Sequence, residues 1–505
     1  MDDLREPARD SSTLQEVSVA DNTSSRHSVL WLALDQGGHA SRALVYDGTG
    51  KQIVQAFAPI NTQRMGQDRV EHDPLEILES LRIVIADVAQ SLGSDVRRIQ
   101  GAGLATQRSS IVCWDARDGT PLSPVLSWQD RRNQALIDTL QPHREEIQRI
   151  TGLVLSPHYG ASKLRWCMDE LPAVRNAYQQ QHLQCGPLAS YLLRGLLNEH
   201  PHVVDPANAS RTQLWSPATG EWSSPLLQRF GVPREVLPQA VATHHRYGSL
   251  QVDQCSVPLQ VCTGDQAAVP FAMGALRPNS IYLNAGTGAF MLAPLSSDIG
   301  DAAPLLRSVI YSDSTQTLFA LEGTVNGAGS ALQWFGERSA IDVQRALPLV
   351  QRPLNNQHIP LFINAVGGLG SPYWLSNIKP EFVDTVDKDE ATALTSVIES
   401  IAFMIADNVA LMKRHLPPLD HIIAGGGVSA SRYLCECIAS LTGLSVTRTS
   451  EPELTAKGLA WLLTGQPSQW NQSTNNILYA VKPDELLTKR WQQWKQHIKN
   501  AISHF

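Results

Sequence analysis

Residues 29–47, V-L-W-L-A-L-D-Q-G-G-H-A-S-R-A-L-V-Y-D, set an apolar run ending on Asp35 against a second apolar run, with Gly37 and Gly38 between them. Apolar, β-favouring residues on both sides of a glycine turn spell strand, turn, strand, so the segment reads as a β-hairpin with a carboxylate at its mouth. The same order returns at residues 281–292, I-Y-L-N-A-G-T-G-A-F-M-L, where Gly286, Thr287 and Gly288 form the turn. Two such units in one chain indicate a weak internal duplication. A third turn, Gly425-Gly426-Gly427, follows the strand-like H-I-I-A and precedes the helical S-R-Y-L-C-E-C-I-A.

Outward from the first hairpin, Asp73-Pro74 opens a helix, with an Asp cap, Pro at the first position and apolar residues at helical spacing through Val88. Strand-like I-Q-G-A-G-L-A-T and S-I-V-C-W-D follow, which is the element order of an α/β domain with a mixed sheet. Near Val257 a second unit begins: P-L-Q-V-C-T-G-D reads as a strand ending on Asp265, and Q-A-A-V-P-F-A-M-G-A-L as a helix. The tail from Asn471 reads as a loop and a polar helix. These boundaries divide the chain into residues 28–270 and 271–505, behind a Ser-rich leader, 1–27, that lacks an apolar signal region and reads as disordered and cytoplasmic.

Composition narrows the function. The 505 residues suggest roughly two to four domains, and 43 % hydrophobic with 18 % charged supports substantial cores. A net charge of −7 argues against nucleic acid as the main partner. Seven scattered cysteines without a C-x-x-C pair fit a reducing compartment, and Cys435 and Cys437 sit two apart, on different faces of a helix, so they do not converge on a metal. The most apolar stretch, Ile401 to Met412, reads as a core helix too short to cross a membrane, which takes about 20 apolar residues.

A glycine turn after a strand can offer backbone N–H groups to phosphate oxygens, because glycine lets the chain come close. Three such turns together point to a nucleotide, although each alone is an ordinary hairpin turn. The Walker A pattern is absent, and no G-x-G-x-x-G opens a helix. Asp35, at a strand end beside a glycine turn, is placed to hold Mg²⁺ against phosphates, or is a simple turn residue. Asp265, between strand and helix, is either a helix cap or a general base for a hydroxyl.

These residues resemble the FGGY carbohydrate kinases, and within that family the glycerol kinases most closely. The likeness runs from about Leu30 to Gly465 through T-Q-R (106–108), W-Q-D-R-R (128–132), N-A-S-R-T (208–212), T-G-D-Q-A-A (263–268), G-T-G-A-F-M-L (286–292), L-E-G-T-V (321–325) and G-G-G-V (425–428). It implies two ribonuclease-H-like domains of the actin and sugar-kinase type, with ATP, Mg²⁺ and a small polyol or sugar in the cleft between them, and a chain that forms homo-oligomers and needs neither nucleic acid nor membrane. It also implies Asp265 as catalytic base, with Asp35 and Asp265 at the metal. Gly37, Gly38, His39, Arg42, Thr287, Gly288, Gly329, Gln333, Gly427 and Ser431 fall at nucleotide positions. Arg108, Ser109, Trp128, His158, Asp265, Gln266 and Phe290 fall at substrate positions.

Four departures from the family pattern matter. The family's Q-R-E is Gln107-Arg108-Ser109, which removes a carboxylate that accepts from glycerol hydroxyls, and the aromatic of D-P-Y-F is His158. A site built for hydroxyls loses several kcal/mol when a donor is left unpaired. The expected acceptor is therefore a larger polyol, a ketose, or a phosphorylated or acidic relative, with His158 as a titratable donor. The phosphate hairpin reads Gly37-Gly38-His39-Ala40 where the family has two hydroxyls, and Ser431 replaces the usual Asn. The readings are a polyol or sugar kinase whose acceptor is not glycerol, a true glycerol kinase with a modified pocket, or a non-catalytic nucleotide or sugar sensor on the same fold. Within W-Q-D-R-R the resemblance assigns a role to Trp128 only, and Asp130, Arg131 and Arg132 read as a solvated helix start with surface ion pairs.

Overall fold

The structure is a computed structural model, and it describes residues 29–66, 68–351, 359–375, 378–383, 389–471 and 475–502. The leader lies outside the described residues.

The first hairpin forms as its sequence dictates: β1 (Leu30–Gln36) pairs antiparallel with β2 (Ala40–Asp47), and β2 with β3 (Gln52–Pro59). β4 (Ile99–Thr106) runs parallel to β1, and β6 (Cys255–Gly264) parallel to β4, while β5 (His244–Val252) closes the edge, giving the order β5-β6-β4-β1-β2-β3. The second hairpin builds the same arrangement. β7 (Ser280–Ala285) and β8 (Ala289–Leu295) pair antiparallel, β10 (Thr317–Val325) pairs with β8, and β9 (Leu306–Ser312) with β10. β11 (His421–Gly425) runs parallel to β7, β12 (Ser445–Arg448) parallel to β11, and β13 (Ile477–Tyr479) completes the order β9-β10-β8-β7-β11-β12-β13. An antiparallel trio followed by two parallel strands thus occurs in both sheets, and the duplication is structural. β13 falls in the tail, where the sequence suggested only loop and helix.

Helices cover the sheets for reasons written in their sequences. α1 (Pro74–Leu92) starts where Asp73 accepts the N–H groups of Leu75 and Glu76, and it buries Ile77, Leu81, Val84 and Val88. The segment after β6 is helical only over Asp265–Ala268, then tightens into a 3₁₀ turn through Val269–Met273. Pro270, which has no N–H to continue the α pattern, lies in that tighter turn. In the second unit, α2 (Gly329–Gly336), α3 (Glu390–His415), α4 (Arg432–Thr442), α5 (Leu454–Leu463) and α6 (Glu485–Ile502) follow in order.

Two expectations are corrected here. The apolar stretch belongs to α3, whose 26 residues make it long and apolar enough to cross a membrane by length and composition, yet it is a core helix. Its polar positions are satisfied internally: Glu399 accepts from Tyr433 (2.7 Å) and from Arg490 of α6 (2.9 Å), and Asn408 donates to the Ser371 carbonyl. Asp130 and Arg132 are not a solvated pair either. Both are buried, joined through two Asp130 oxygens, and Arg132 also reaches Glu71 at 2.6 Å.

The joint between the units is made by α5. It comes from the C-terminal half but packs on β1 and β4, with Trp461 stacked on Phe271 at 5.6 Å between centroids. Gly458 permits this approach, since a Cβ there would overlap the Ala268 carbonyl oxygen. Gly458→Ala is expected to cost about 2–4 kcal/mol of stability, read as a lower urea midpoint with unchanged slope, because rigid backbone is what the added methyl meets.

Candidate active site

Parallel register assembles the site. Asp35 of β1 stands beside Ala105 of β4, and Ala105 beside Thr263 of β6, so Asp35, the loop after Thr106 and Asp265 all leave one edge of the sheet. In the second sheet the Gly286–Gly288 and Gly425–Gly427 turns leave neighbouring strand ends, where Asn284 of β7 pairs with Gly425 of β11 and its side chain donates to Gln266, the neighbour of Asp265. Ligands commonly bind beyond the carboxyl ends of such strands.

The carboxylates are electrostatically unusual. Burial and the charge of Asp265 push the Asp35 carboxyl up to about 7, with Arg42 pulling it back and Glu453 adding to the rise. Asp265 is raised by burial and opposed by Arg108, whose Nε lies 3.7 Å from its Oδ1. Its side chain accepts from the backbone N–H of Gln266 at 2.7 Å, and Gly264 takes the cap position, so Asp265 is the first helical residue rather than the cap. A buried carboxylate raised by the charge of a second carboxylate near it suits a divalent cation, and Asp35 and Asp265 are the residues that would hold it.

Arg108 is held from the other unit. Glu322, on β10 and 1 % exposed, accepts from Arg108 Nη1 at 3.1 Å and Nη2 at 3.3 Å, from Arg211, and from Ser308 Oγ at 2.9 Å. Burial alone would raise this carboxyl, but Arg108 and Arg211 hold it down at about 2. Gly264 explains itself in the same place, since a Cβ there would come within 2.5 Å of Arg108 Cγ. Glu322 stands inside the quoted L-E-G-T-V, yet neither its role nor that of Arg211 was read from the sequence; a lone acid at the end of the apolar run L-F-A-L-E (318–322) was the available signal.

A second organiser is Lys163, fully buried, whose Nζ donates to the carbonyls of Ser127 (2.7 Å), His158 (2.7 Å) and Ser109 (3.2 Å). It ties together three loops that carry the substrate-side residues, while burial pulls its pKa down to about 7. Trp128 is further fixed by its backbone N–H bond to Ser110 Oγ, and its ring meets His158 edge-on at 5.8 Å. Ser109 adopts φ 65°. His158 is no titratable donor near neutral pH: burial and the cations Lys163, Arg131, Arg211 and Arg108 hold it well below its usual value, so its ring is neutral. Gln266 accepts from Asn284 at 3.0 Å, and Phe290 lies on β8.

On the nucleotide side, the Gly37 N–H bonds to the Ala40 carbonyl, Gly38 lies against Trp128, His39 is exposed, and Arg42 reaches Glu453 at 3.6 Å. The second turn is clasped to α2, with Gly329 N–H donating to Gly286 O (2.9 Å) and Ser330 N–H to Thr287 O (3.0 Å). Gly288 is required here because a Cβ would meet the Val325 carbonyl at 2.9 Å. Thr287 and Gln333 are exposed, and Gly427 has open space before it. Ser431 is fully buried and its hydroxyl accepts from Leu434 N–H, so in this fold the side chain caps α4 instead of projecting outward. Among the described residues no group of three or more His, Cys, Asp or Glu could hold a metal.

Two sheets of one pattern, glycine turns and carboxylates at strand ends define the two-domain sugar-kinase and actin-like class. Residues 30–276 match the FGGY family of carbohydrate kinases, N-terminal domain, and residues 281–464 match its C-terminal domain. The chain belongs to the FGGY family and is glycerol kinase-like. It is 30 % identical over 491 residues to a glycerol kinase of Rhodopirellula baltica, covering 93 % of this chain and 90 % of that one. A protein of Sulfolobus acidocaldarius named glycerol kinase 2 is 28 % identical, covering 93 % and 97 %. The solved structure of a Plasmodium falciparum glycerol kinase with ADP superposes with a TM-score of 0.83 at 20 % identity, covering 94 % and 98 %.

Asp35 gives a pH signature without any ligand. Its folded pKa lies above the unfolded value of 3.8, so its contribution to stability is full below about pH 4 and is lost as pH rises to about 7. Asp35→Asn is therefore expected to stabilise the metal-free protein by roughly 2–4 kcal/mol at about pH 8 and much less at about pH 4, measured by denaturant titration at both.

Proposed function

We propose that the chain transfers the γ-phosphoryl group of ATP to a hydroxyl of a small polyol or sugar other than glycerol. The observation that carries this is the pairing of Asp265, raised by burial, with Arg108, which is locked to Glu322 and sits against the same carboxylate. A carboxylate of raised proton affinity is a better base for an alcohol, and the guanidinium keeps it oriented.

Asp265 accepts the proton of the acceptor hydroxyl as that oxygen attacks phosphorus, and the bond to the ADP oxygen breaks in line. In the glycine turns the N–H groups of Gly37 and Gly286 are spent on Ala40 and Gly288, those of Gly38 and Thr287 are offered to the phosphates, and Arg42 supplies a positive charge beside them. When bound, Mg²⁺ supplies neutralisation of phosphate charge, with Asp35 and Asp265 as its holders. Packing of α5 and the Glu322 link bring the two units together over the reacting atoms and exclude water, which would otherwise hydrolyse ATP.

The substrate positions differ from a glycerol site where Ser109 stands in place of a carboxylate. Its backbone carbonyl is taken by Lys163, and its short side chain leaves room in the pocket.

Release of ADP from MgATP, followed over a panel of polyols, ketoses and aldoses with glycerol included, tests this reading. One acceptor other than glycerol is expected to give the highest kcat/KM. Asp265→Asn should lower kcat on it by about 10²–10⁴ while ATP binding, measured by calorimetry, persists. Glycerol as the best acceptor, or an Asp265→Asn enzyme of undiminished kcat, would contradict it.

A further inference from the structure

Arg42 is held by two contacts that the transfer step leaves unused. In the register of the first sheet Asp35 of β1 stands directly opposite Arg42 of β2, and Arg42 directly opposite Phe57 of β3. Directly opposed residues of antiparallel strands share a face, so carboxylate, guanidinium and phenyl ring form one row on one side of the sheet. The Arg42 guanidinium carbon lies 5.3 Å from the centroid of the Phe57 ring, which is itself 57 % exposed. Such stacking favours one placement of the guanidinium over its other rotamers.

The second contact crosses the joint. Glu453 stands at the cap position of α5, where an acid ordinarily accepts from first-turn N–H groups, yet its side chain makes no such bond. Its Oε1 lies instead 3.6 Å from Arg42 Nε. The start of α5 is itself pinned, since Lys457 Nζ donates to Glu451 at 2.7 Å and Thr455 Oγ1 donates to the Asp265 carbonyl at 3.4 Å. Glu453 thus projects from a helix start that also touches the base. Contact at Nε leaves the two Nη groups unspent: among the described residues the Arg42 side chain makes no hydrogen bond, and Glu453 is its one ion-pair partner. A guanidinium recognises an oxyanion through a parallel pair of N–H groups, and one fixed at Nε and at its face keeps its Nη groups available for that.

Resting on the phosphotransferase reading, we propose that Glu453 and Phe57 are positioning residues that hold Arg42 for the phosphates of ATP, so that the nucleotide meets a guanidinium set jointly by both units. Neither residue touches the nucleotide. A carboxylate that competed with the phosphates for Arg42 would act in the opposite sense, so the sign of the effect separates the two roles.

Calorimetric titration of the full chain with MgATP, without acceptor, reads that sign. Glu453→Gln, at a partly exposed position, and Phe57→Ala, at an exposed one, are each expected to weaken MgATP binding by about threefold or more, and Arg42→Gln by a larger factor. In the Arg42→Gln background Glu453→Gln should add less than about twofold, because a residue acting through Arg42 has nothing left to hold. In turnover Glu453→Gln should raise KM for MgATP by about threefold or more while KM for the acceptor moves by less than about twofold, a split that general loosening of the joint would not give. MgATP binding that is absent from the wild type, unchanged or tightened in Glu453→Gln, or weakened as much by Glu453→Gln without Arg42 as with it, would overturn the proposal. ADP release continuing beside unchanged binding would leave the phosphotransferase standing. The expected pattern of MgATP binding, with no ADP release from any acceptor, would uphold the positioning role and sink the phosphotransferase.

Discussion

One buried carboxylate from the second unit, Glu322, holds two arginines from the first. A lone charge at 1 % exposure would be prohibitively costly, and two guanidiniums and a serine hydroxyl make it tolerable. The consequence is geometric. Arg108 cannot swing away from Asp265 without leaving Glu322 one guanidinium short, with Arg211 and Ser308 alone on it, so the base, its orienting cation and the relation between the two sheets are set by one cluster. Gly264 belongs to that constraint, because no side chain fits between Asp265 and the Arg108 stem.

The sheet supplies what the cluster cannot. Parallel pairing of β1, β4 and β6 delivers Asp35 and Asp265 to one edge, and α5, reaching back from the C-terminal half, seals the joint and brings Glu453 to Arg42. Lys163 does for the substrate loops what Glu322 does for the arginines, gathering the carbonyls of Ser109, Ser127 and His158 around one ammonium. Buried polar groups so thoroughly bonded define a unique arrangement more than they add net stability.

What the sequence revealed was local. Both hairpins, the Asp73 cap and the strand ending on Asp265 are written in consecutive residues, and the ordered motifs carried the family. What it concealed was long-range. The partner of Glu322 lies 214 residues away at Arg108, and the three carbonyls on Lys163 come from three separate loops. The D-R-R run looked like a solvated helix start because nothing near it in sequence shows that Glu71 and a buried turn receive it. The apolar run Ile401–Met412 is only part of α3, which extends back past Glu399 because Tyr433 and Arg490 satisfy that carboxylate, as Ser371 satisfies Asn408 within the run. Ser431 matched a nucleotide position, but a hydroxyl just before a helix is also an N-cap, and the fold uses it so.

The central claim is that the two units close on a site that moves a phosphoryl group to an alcohol and keeps it from water. Isotope-labelled γ-phosphate in ATP, mixed with enzyme in excess and the preferred acceptor for a single turnover, separates these fates directly. The account predicts label recovered in the acceptor ester with little inorganic phosphate. Label appearing as inorganic phosphate, or remaining in ATP with every acceptor, would contradict it.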